Sequence, residues 1–248
     1  PNGAGDYTLR KYAARLNADG TVDAAFNLDL NELNGNRVDS WCVQPDGKIL
    51  AAGNFLSLQP VGAAARVATG RLIRLNANGT LDSAFVPGVG GATGGQINTL
   101  VLQSDGKLIA AGAFKDLGGT TTTNIARFNP EGTPDTTFTT SLSSDGPINA
   151  VLIRPGTEPV TPQSKGLAWL TDIGAVRPGF APDANSRISG VVNAYAVQPD
   201  GSVIVGGAFT TATGVPGPNL VRFAPNGALD PNFGPGPNGA VAAIAHGA

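Results

Sequence analysis

The sequence predicts an all-β fold built from repeated units, and three observations support that prediction. A Gln-x-Asp-Gly segment followed by an apolar run that ends in Gly-x-Phe occurs three times, and its aspartates are Asp46, Asp105 and Asp200. A second signature, clearest where it starts at Arg74, recurs downstream and ends at Phe26, Phe85, Phe138, Phe180 and Phe233. The phenylalanines lie 59, 53, 42 and 53 residues apart and the aspartates 59 and 95 apart, so both markers keep one register.

Each unit is predicted to contain three strands, because its apolar segments have strand length and the connections between them are rich in turn-forming residues. The first strand is predicted at residues 38–44, 97–103, 148–153, 191–198 and 240–245. An Asp-Gly pair, which tolerates the positive φ of a tight hairpin, leads to the second strand at residues 48–55, 107–114 and 202–209. After a variable loop, the third strand is predicted at residues 72–76 and 124–129, and residues 80–85 are a candidate fourth strand.

These segments divide the 248 residues, taken as a single repeat domain, into five units: 38–96, 97–147, 148–190, 191–239, and 240–248 joined to 1–37. Three prolines within residues 154–165 predict that the third unit has lost its second strand and loop. Either that unit has degenerated, or residues of the natural protein are missing there. The fifth unit joins a first strand at residues 240–245 to a third strand at residues 9–17 and lacks only its middle. We therefore expect the chain to be part of a longer protein.

A period near 50 residues with three or four short strands predicts a β-propeller. A three-stranded sheet cannot bury both of its faces alone, so neighbouring units must stack, and a closed ring leaves only protected edges. An open β-solenoid is the alternative, although solenoid coils usually have far shorter repeats.

The segment 46–55 (DGKILAAGNF) with the downstream segment 75–85 (LNANGTLDSAF) resembles the delta-60 repeat, a β-propeller-like repeat of large secreted or surface-attached bacterial proteins. The resemblance covers nearly the whole chain except residues 154–165. It implies an extracellular or cell-surface location and brings no established reaction or catalytic residues.

Composition argues against two classes of partner. Charged residues make up 14% of the chain, below the roughly 25% that is usual for soluble domains, and the net charge is −2. The chain has no run of like charges, whereas nucleic-acid binding needs a basic face. No stretch is long and apolar enough for direct insertion into a membrane.

The chain has one cysteine and one histidine, and neither predicts a functional site. Cys42, the only cysteine, lies in an apolar run, so we expect a buried, inert thiol and no disulfide. His246, the only histidine, has no histidine partner for a metal site or a catalytic triad.

The turn from Asn17 to Asp23 resembles a calcium loop only faintly. Calcium needs six or more oxygen ligands, several of them carboxylates. The other copies supply the following residues at these positions: Asn76, Asn78 and Asp82; Asn129, Glu131 and Asp135; Asn226 and Asp230; Ile173 and Arg177. Because too few carboxylates recur, we favour Asx-turns, in which the side-chain oxygens accept backbone N–H groups, over a metal.

Other candidate sites are weaker. Gly90-Gly91 and Gly206-Gly207 lack the strand-to-helix context of a phosphate loop. Glu158 and Asp172, in the irregular third unit, have no evident partner for glycosidic chemistry. Trp41 and Trp169 could form a sugar-stacking platform, but burial between units is the favoured interpretation.

Comparison of the units indicates a conserved ion pair within the chain. An arginine stands eleven residues before the signature phenylalanine and an aspartate three before it, in the pairs Arg15–Asp23, Arg74–Asp82, Arg127–Asp135 and Arg222–Asp230. The third unit has lost both together and carries Trp169 and Arg177 instead. We hypothesise that the arginine binds the aspartate across the turn with two parallel bonds, and that Trp169 packs as an apolar replacement.

The sequence therefore predicts a non-enzymatic extracellular repeat scaffold or adhesive binding module, with no catalytic, cofactor-binding or metal-binding residues. Rigid strands would display variable loops to another protein or to a surface glycan. A lectin-like propeller is the first alternative, and a degenerate hydrolase is the second.

Overall fold

The computed structural model describes residues 14–26, 28, 37–87, 95–118, 123–139, 147–148, 151–153, 159–163, 166–169, 188–212, 215–216, 219–226, 228–234 and 236–244. Every regular element in these ranges is a β-strand. In chain order they are β1 Arg37–Val43, β2 Ile49–Asn54, β3 Ser57–Leu58, β4 Val67–Ala68, β5 Leu72–Leu75, β6 Gln96–Leu102, β7 Leu108–Ala113, β8 Ile125–Phe128, β9 Leu152–Ile153, β10 Pro159–Gln163, β11 Gly166–Trp169, β12 Ile188–Val197, β13 Val203–Ala212, β14 Val215–Pro216 and β15 Leu220–Phe223. Within the same ranges, no helix has the length and apolar character that a membrane span requires.

Four antiparallel sheets repeat one strand order, with the second strand in the centre. They are β1-β2-β5, β6-β7-β8, β9-β10-β11 and β12-β13-β15; β14 also pairs with β13, and β3-β4 is a separate hairpin in the long loop of the first unit. The all-β fold is confirmed. The predicted second strands at 48–55, 107–114 and 202–209 coincide with β2, β7 and β13 to within a few residues.

The Asp-Gly pair makes the tight turn between the first and second strands. In the first unit, the Gln44 N–H donates to the Lys48 carbonyl at 2.8 Å and the Gly47 N–H to the Gln44 carbonyl at 2.9 Å. The Asp46 carboxylate accepts the Lys48 N–H at 3.0 Å, which satisfies a donor that the turn leaves open. Asp105 and Asp200 accept the equivalent N–H groups at 3.0 and 2.8 Å, so the hairpin is the same in three units.

A bulge in the first strand explains the glycine of the Gly-x-Phe ending. The register of β6 against β7 shifts between Ile97 and Thr99, and β1 and β12 shift at the equivalent place. The bulge presses the first strand onto the second, so a Cβ added at Gly112 would lie 2.1 Å from the Gln96 carbonyl oxygen. Gly53 and Gly207 face the same obstacle, at 2.3 and 2.0 Å. Only glycine fits at this position.

The expectation that residues 154–165 replace the second strand of the third unit is wrong. β10 lies within that segment, pairs with both β9 and β11, and sets Val160 opposite Trp169 as β2 sets Leu50 opposite Arg74. What the unit has lost is the loop, because only residues 164 and 165 join β10 to β11. Proline lacks the N–H that a ladder requires, so Pro159 and Pro162 weaken this strand without abolishing it.

Two further strand predictions need correction. Residues 80–85 form no fourth strand, because a single bridge between Leu75 and Leu81 is followed by a turn. Residues 240–244 form no strand either, yet the Val241 N–H donates to the Gly207 carbonyl at 2.9 Å, as the Ile148 N–H does to Gly112. Residue 241 thus occupies the position of a first strand without pairing as one.

Neighbouring sheets stack face to face and share their cores. Leu50 and Ala52 of β2 pack in one cluster with Leu100 of β6 and Leu108 of β7. One unit further along, Ile109 and Ala111 of β7 pack in the same way with Ile148 and Val151. The Leu100 N–H also donates to the Ser40 hydroxyl at 3.0 Å, which joins β6 to β1 across the seam. Stacking of this kind is expected of propeller blades; closure into a ring of five and the unit boundaries stay predictions.

The bulge generates the first testable prediction. Gly112→Ala should lower the free energy of unfolding by roughly 1–3 kcal/mol or more, because its Cβ overlaps the backbone of β6. Gly234→Ala is the matched control, since a Cβ there meets nothing within 4 Å. Urea denaturation measures both variants. Equal stabilities would contradict the role assigned to the bulge.

Candidate functional site

The second signature forms a turn that brings its arginine and aspartate together. In the first unit, the Asn76 N–H donates to the Thr80 carbonyl and the Gly79 N–H to the Asn76 carbonyl, both at 2.8 Å. The chain then doubles back, and the Asp82 N–H donates to the Arg74 carbonyl at 2.9 Å. Backbone bonds alone therefore set the two side chains next to each other.

The predicted arginine–aspartate pair is confirmed in all four units that carry it. The arginine Nε donates to the aspartate Oδ2 at 2.8 Å in Arg15–Asp23, Arg74–Asp82 and Arg222–Asp230, and at 2.9 Å in Arg127–Asp135.

The two bonds predicted between guanidinium and carboxylate are present in two of the pairs, but they converge on one oxygen and are not parallel. The Nη2 atoms of Arg15 and Arg222 bind the same Oδ2 as Nε does, at 2.6 and 2.5 Å. Oδ1 accepts a backbone N–H two residues further on, at 2.9–3.0 Å; the donors are Ala25, Ala84, Thr137 and Asn232. One carboxylate thus binds the guanidinium and caps the next turn.

The signature phenylalanine completes the arrangement. The guanidinium carbon lies 4.7–5.0 Å from the ring centroid in Arg15–Phe26, Arg74–Phe85, Arg127–Phe138 and Arg222–Phe233. At this distance the ring face attracts the cation. We call each set of arginine, aspartate and phenylalanine an arginine clamp. The sequence pointed to the ion pair but not to the ring contact, although the constant eleven-residue spacing was its signal.

A lysine of the Asp-Gly turn adds a second cation in two units. Lys48 Nζ lies 2.9 Å from Asp82 Oδ2, and Lys107 Nζ lies 2.8 Å from Asp135 Oδ2. The equivalent residue in the fourth unit is Ser202, which bonds to Asp200 instead. The lysine of Asp-Gly-Lys is therefore part of the clamp, whereas the sequence predicted it only as the first residue of the second strand.

Two of the clamps also reach the next unit. Arg74 Nη1 donates to the Pro130 carbonyl at 2.6 Å, and Arg15 Nη1 donates to the equivalent Ala77 carbonyl. The Phe85 ring packs against Gly132 of the next unit, and a Cβ added to Gly132 would lie only 2.8 Å from a ring atom. Gly132 also has a φ of +97°, a backbone conformation that disfavours any residue other than glycine. The clamp therefore ties its own turn to the turn of the following unit.

Burial and charge explain why these carboxylates stay ionised. Asp82 and Asp135 are buried together with Arg74 and Arg127. Burial alone raises the pKa of Asp82 and Asp135, but the bonds from Lys48 and Lys107 and the adjacent backbone and arginine groups outweigh it, so both pKa values lie below the ordinary range. For the less buried Asp23 and Asp230, the arginine bond is the main cause of the lowered pKa.

The clamp predicts a large effect of removing its aspartate. Asp82→Ala should cost about 1–3 kcal/mol of unfolding free energy, because it leaves Arg74 buried without its carboxylate. Asp39→Ala is the control, since its partner Arg37 is mostly exposed and such pairs contribute about 0–1 kcal/mol. Chemical denaturation of both variants measures the difference. A cost for Asp82→Ala no larger than for Asp39→Ala would refute the assignment.

The lowered pKa values predict acid sensitivity. The ordinary aspartate pKa is 3.8, and it lies lower in the folded chain, so the unfolded chain takes up protons first as pH falls. The contribution of Asp82 and Asp135 is thus fully present above about pH 5 and is lost as pH falls through the folded pKa. We expect the melting temperature to be flat from pH 8 to 5 and to fall below about pH 4. The fall should be shallower in Asp135→Asn.

The turns that faintly resemble calcium loops are Asx-turns. Asp19, Asn78 and Asn226 accept the N–H groups of Thr21, Thr80 and Ala228 at 2.9, 3.1 and 3.1 Å. Within the described ranges, no group of three or more His, Cys, Asp or Glu side chains is placed to hold a metal ion. That the protein binds no metal stays a prediction.

The tryptophans give a mixed outcome. Trp41 is 40% exposed, so its predicted burial between units is wrong: it lies on the face of β1 that points away from β6. Trp169 lies on β11 opposite Val160, and its side chain falls outside the described residues. Cys42 is partly buried against the core that the first two sheets share, and this burial raises the pKa of its thiol, as expected of an inert cysteine.

Gly206 and Gly207 lie in the middle of β13 rather than at a strand-to-helix turn, which is against phosphate binding. The remaining candidates lie outside the described residues: Gly90, Gly91, Glu158, Asp172, Ile173, Arg177, Phe180 and His246.

Solved structures with similar folds come from several bacterial proteins. Virginiamycin B lyase from Staphylococcus aureus superposes with a TM-score of 0.50 at 13% identity, over 79% of this chain and 56% of that one. A gluconolactonase from Xanthomonas campestris gives 0.48 at 16%, over 88% and 67%. The extracellular domain of a one component system from B. thetaiotaomicron gives 0.49 at 13%, over 85% and 24%. The chain spans just over half the length of the lyase, and at these identities the likeness concerns the fold alone.

Sequence comparison identifies the family. No curated protein matches the chain significantly. The sequence profile of one family matches residues 3–26, 44–85, 103–138 and 198–233, which together are more than half of the chain. These segments contain the three Asp-Gly turns, three of the four second strands (β2, β7 and β13) and the four arginine clamps described above. The chain therefore belongs to the family described as domain of unknown function (DUF5122) beta-propeller.

Proposed function

We propose that this chain is a non-enzymatic, extracellular binding module, in which a rigid repeated framework presents variable loops to a protein or a surface glycan. The observation that supports the proposal is the state of its carboxylates. Asp23, Asp82, Asp135 and Asp230 bind arginines, while Asp19, Asp46, Asp105 and Asp200 accept turn N–H groups.

Carboxylates of this kind are poor catalysts of proton transfer. A general acid or base works best with a pKa near the operating pH, so enzymes raise carboxyl pKa values toward neutrality. In the part of the chain that the structure describes, the perturbed carboxyl pKa values are lowered instead: those of Asp19, Asp23, Asp82, Glu131, Asp135, Asp200 and Asp230. The acidic residues therefore hold turns and seams together.

The long loop of the first unit is the best candidate for the binding surface. Its β3-β4 hairpin is closed by a bond from the Thr69 N–H to the Leu56 carbonyl at 2.8 Å and braced by Arg66 Nη2 on the Ser57 carbonyl at 2.8 Å. Leu58 anchors it in the core, whereas Leu56 and Val67 are 58% and 36% exposed. A pre-organised loop with exposed apolar residues loses little conformational entropy on binding.

The binding proposal is tested with immobilised glycan arrays and with intact bacterial cells. The double variant Leu56→Ser, Val67→Ser should lose at least about tenfold in apparent affinity for whichever surface binds the wild type, since contacts worth 1.4 kcal/mol give that factor. Its melting temperature should not change, because both side chains are exposed. Val86→Ser is the control, being 56% exposed outside the loop. Equal losses in the control would contradict the assignment of the loop.

The non-enzymatic part is tested separately. The chain is incubated with virginiamycin B and with a panel of sugar lactones, because solved structures of similar fold include a lyase and a gluconolactonase. We expect no turnover above that of buffer. Turnover that a single substitution abolishes without changing the melting temperature would overturn the proposal.

A lectin-like role is the second candidate, and the exposure of Trp41 favours it. An exposed indole face can stack on the apolar face of a sugar ring. Trp41→Ala would then abolish glycan binding on the array, whereas the loop variant would retain it.

The extracellular location is supported by the resemblance of the repeat to delta-60 repeats. Protease treatment of intact cells of the source bacterium, followed by mass spectrometry of the released peptides, tests it. Peptides of this chain should appear before those of cytosolic marker proteins.

A further inference from the structure

One apolar surface is exposed where the other units bury it. Trp41 in β1 and Leu100 in β6 hold the same position relative to the Asp-Gly turn, yet Trp41 is 40% exposed and Leu100 only 6%. Leu100 is covered because it packs with Leu50 and Ala52, on the second strand of the preceding unit.

A second site leads to the same element. Leu16 is equivalent to Leu75, but Leu16 is 62% exposed and Leu75 is fully buried. Leu75 lies opposite Ile49 in the ladder between β5 and β2, and it packs in one cluster with Ala51 of β2 and with Phe26 of the preceding unit. A second strand is therefore part of its cover. Beside Leu16, the described residues form only a bridge to Val22, itself 48% exposed.

Both exposed sites therefore flank the position of one second strand, that of the unit containing residues 14–26. We propose that the strand position flanked by Leu16 and Val22 at its ladder edge and by Trp41 and Val43 on the neighbouring sheet, which we call the acceptor groove, binds an extended segment that carries the second-strand motif of this repeat. The segment is of the form Gln-x-Asp-Gly-Lys followed by an apolar run and Gly-x-Phe, as a further copy of the repeat would supply. The proposal does not depend on the proposed function.

The contacts between neighbouring sheets predict which residues the bound segment must carry. The residue equivalent to Leu50 would cover Trp41, and the residue equivalent to Ile49 would cover Leu16, because the two faces of a strand alternate. A lysine after the Asp-Gly pair would reach the Asp23 clamp as Lys48 reaches Asp82. Main-chain ladder bonds provide affinity and the alternating side chains provide specificity, as in other cases of strand addition.

The test uses the full chain and a synthetic peptide with its own sequence 44–56 (QPDGKILAAGNFL), labelled for fluorescence anisotropy. We expect saturable binding, a rise in melting temperature with peptide concentration, and a blue shift of tryptophan emission in a Trp169→Phe background as Trp41 becomes buried. A peptide with Leu50→Asp should bind at least about tenfold more weakly, because it would bury a carboxylate against the indole.

Three outcomes would overturn the proposal: no saturable binding, equal binding of the Leu50→Asp peptide, or a blue shift that appears without peptide as the chain dimerises. Light scattering after size exclusion detects dimerisation, which would make a second copy of the chain the occupant.

The groove itself is tested with the variant Trp41→Ala. Should Trp41→Ala unfold the chain, Val43→Ser is used instead, since Val43 is 67% exposed and its replacement leaves the core intact. Binding of the peptide with unchanged affinity to Val43→Ser and to a folded Trp41→Ala would likewise refute the groove.

Discussion

The arginine clamp is the interaction on which the rest of the structure depends. In a chain with only 14% charged residues, four arginines each engage a carboxylate and the face of a phenylalanine, and two of them are seen to bind the backbone of the next unit. Because Asp82 and Asp135 are buried, each needs this full set of donors to remain ionised. The clamp thereby fixes a turn, a seam and the spacing between units with three side chains.

The seams explain how short sheets form a stable fold. The sheet β1-β2-β5 has two apolar faces, and its second strand contributes to both: Leu50 points to one neighbour and Ala51 to the other. The bulge in the first strand and the glycine opposite it let the two strands of the hairpin approach each other closely. The bulge in the first strand thus tightens the hairpin, and the packing of apolar side chains makes the contact between neighbouring sheets.

The sequence allowed the register, the second strands and the arginine–aspartate pairs to be predicted, because each depends on residues that recur at fixed spacing. It did not reveal how Oδ1 of Asp82 caps the next turn, since several bonding patterns suit the same residues. It misled at residues 154–165, where prolines argued against a strand that the neighbouring strands β9 and β11 nevertheless impose. It also misled at Trp41, because burial there is decided by another unit rather than by the local pattern.

The bond from one clamp to the next unit ends on a main-chain carbonyl, at Ala77 or Pro130, and not on a side chain. Every residue offers such a carbonyl, so a unit places few demands on the identity of its successor. A duplicated unit could be inserted between two others, or a unit such as the third could lose its own arginine and aspartate, without a compensating substitution next door. The number of repeat units can therefore change without destabilising the contacts between them. Proteins assembled from such units can lengthen by duplication of a unit while the turns stay the same.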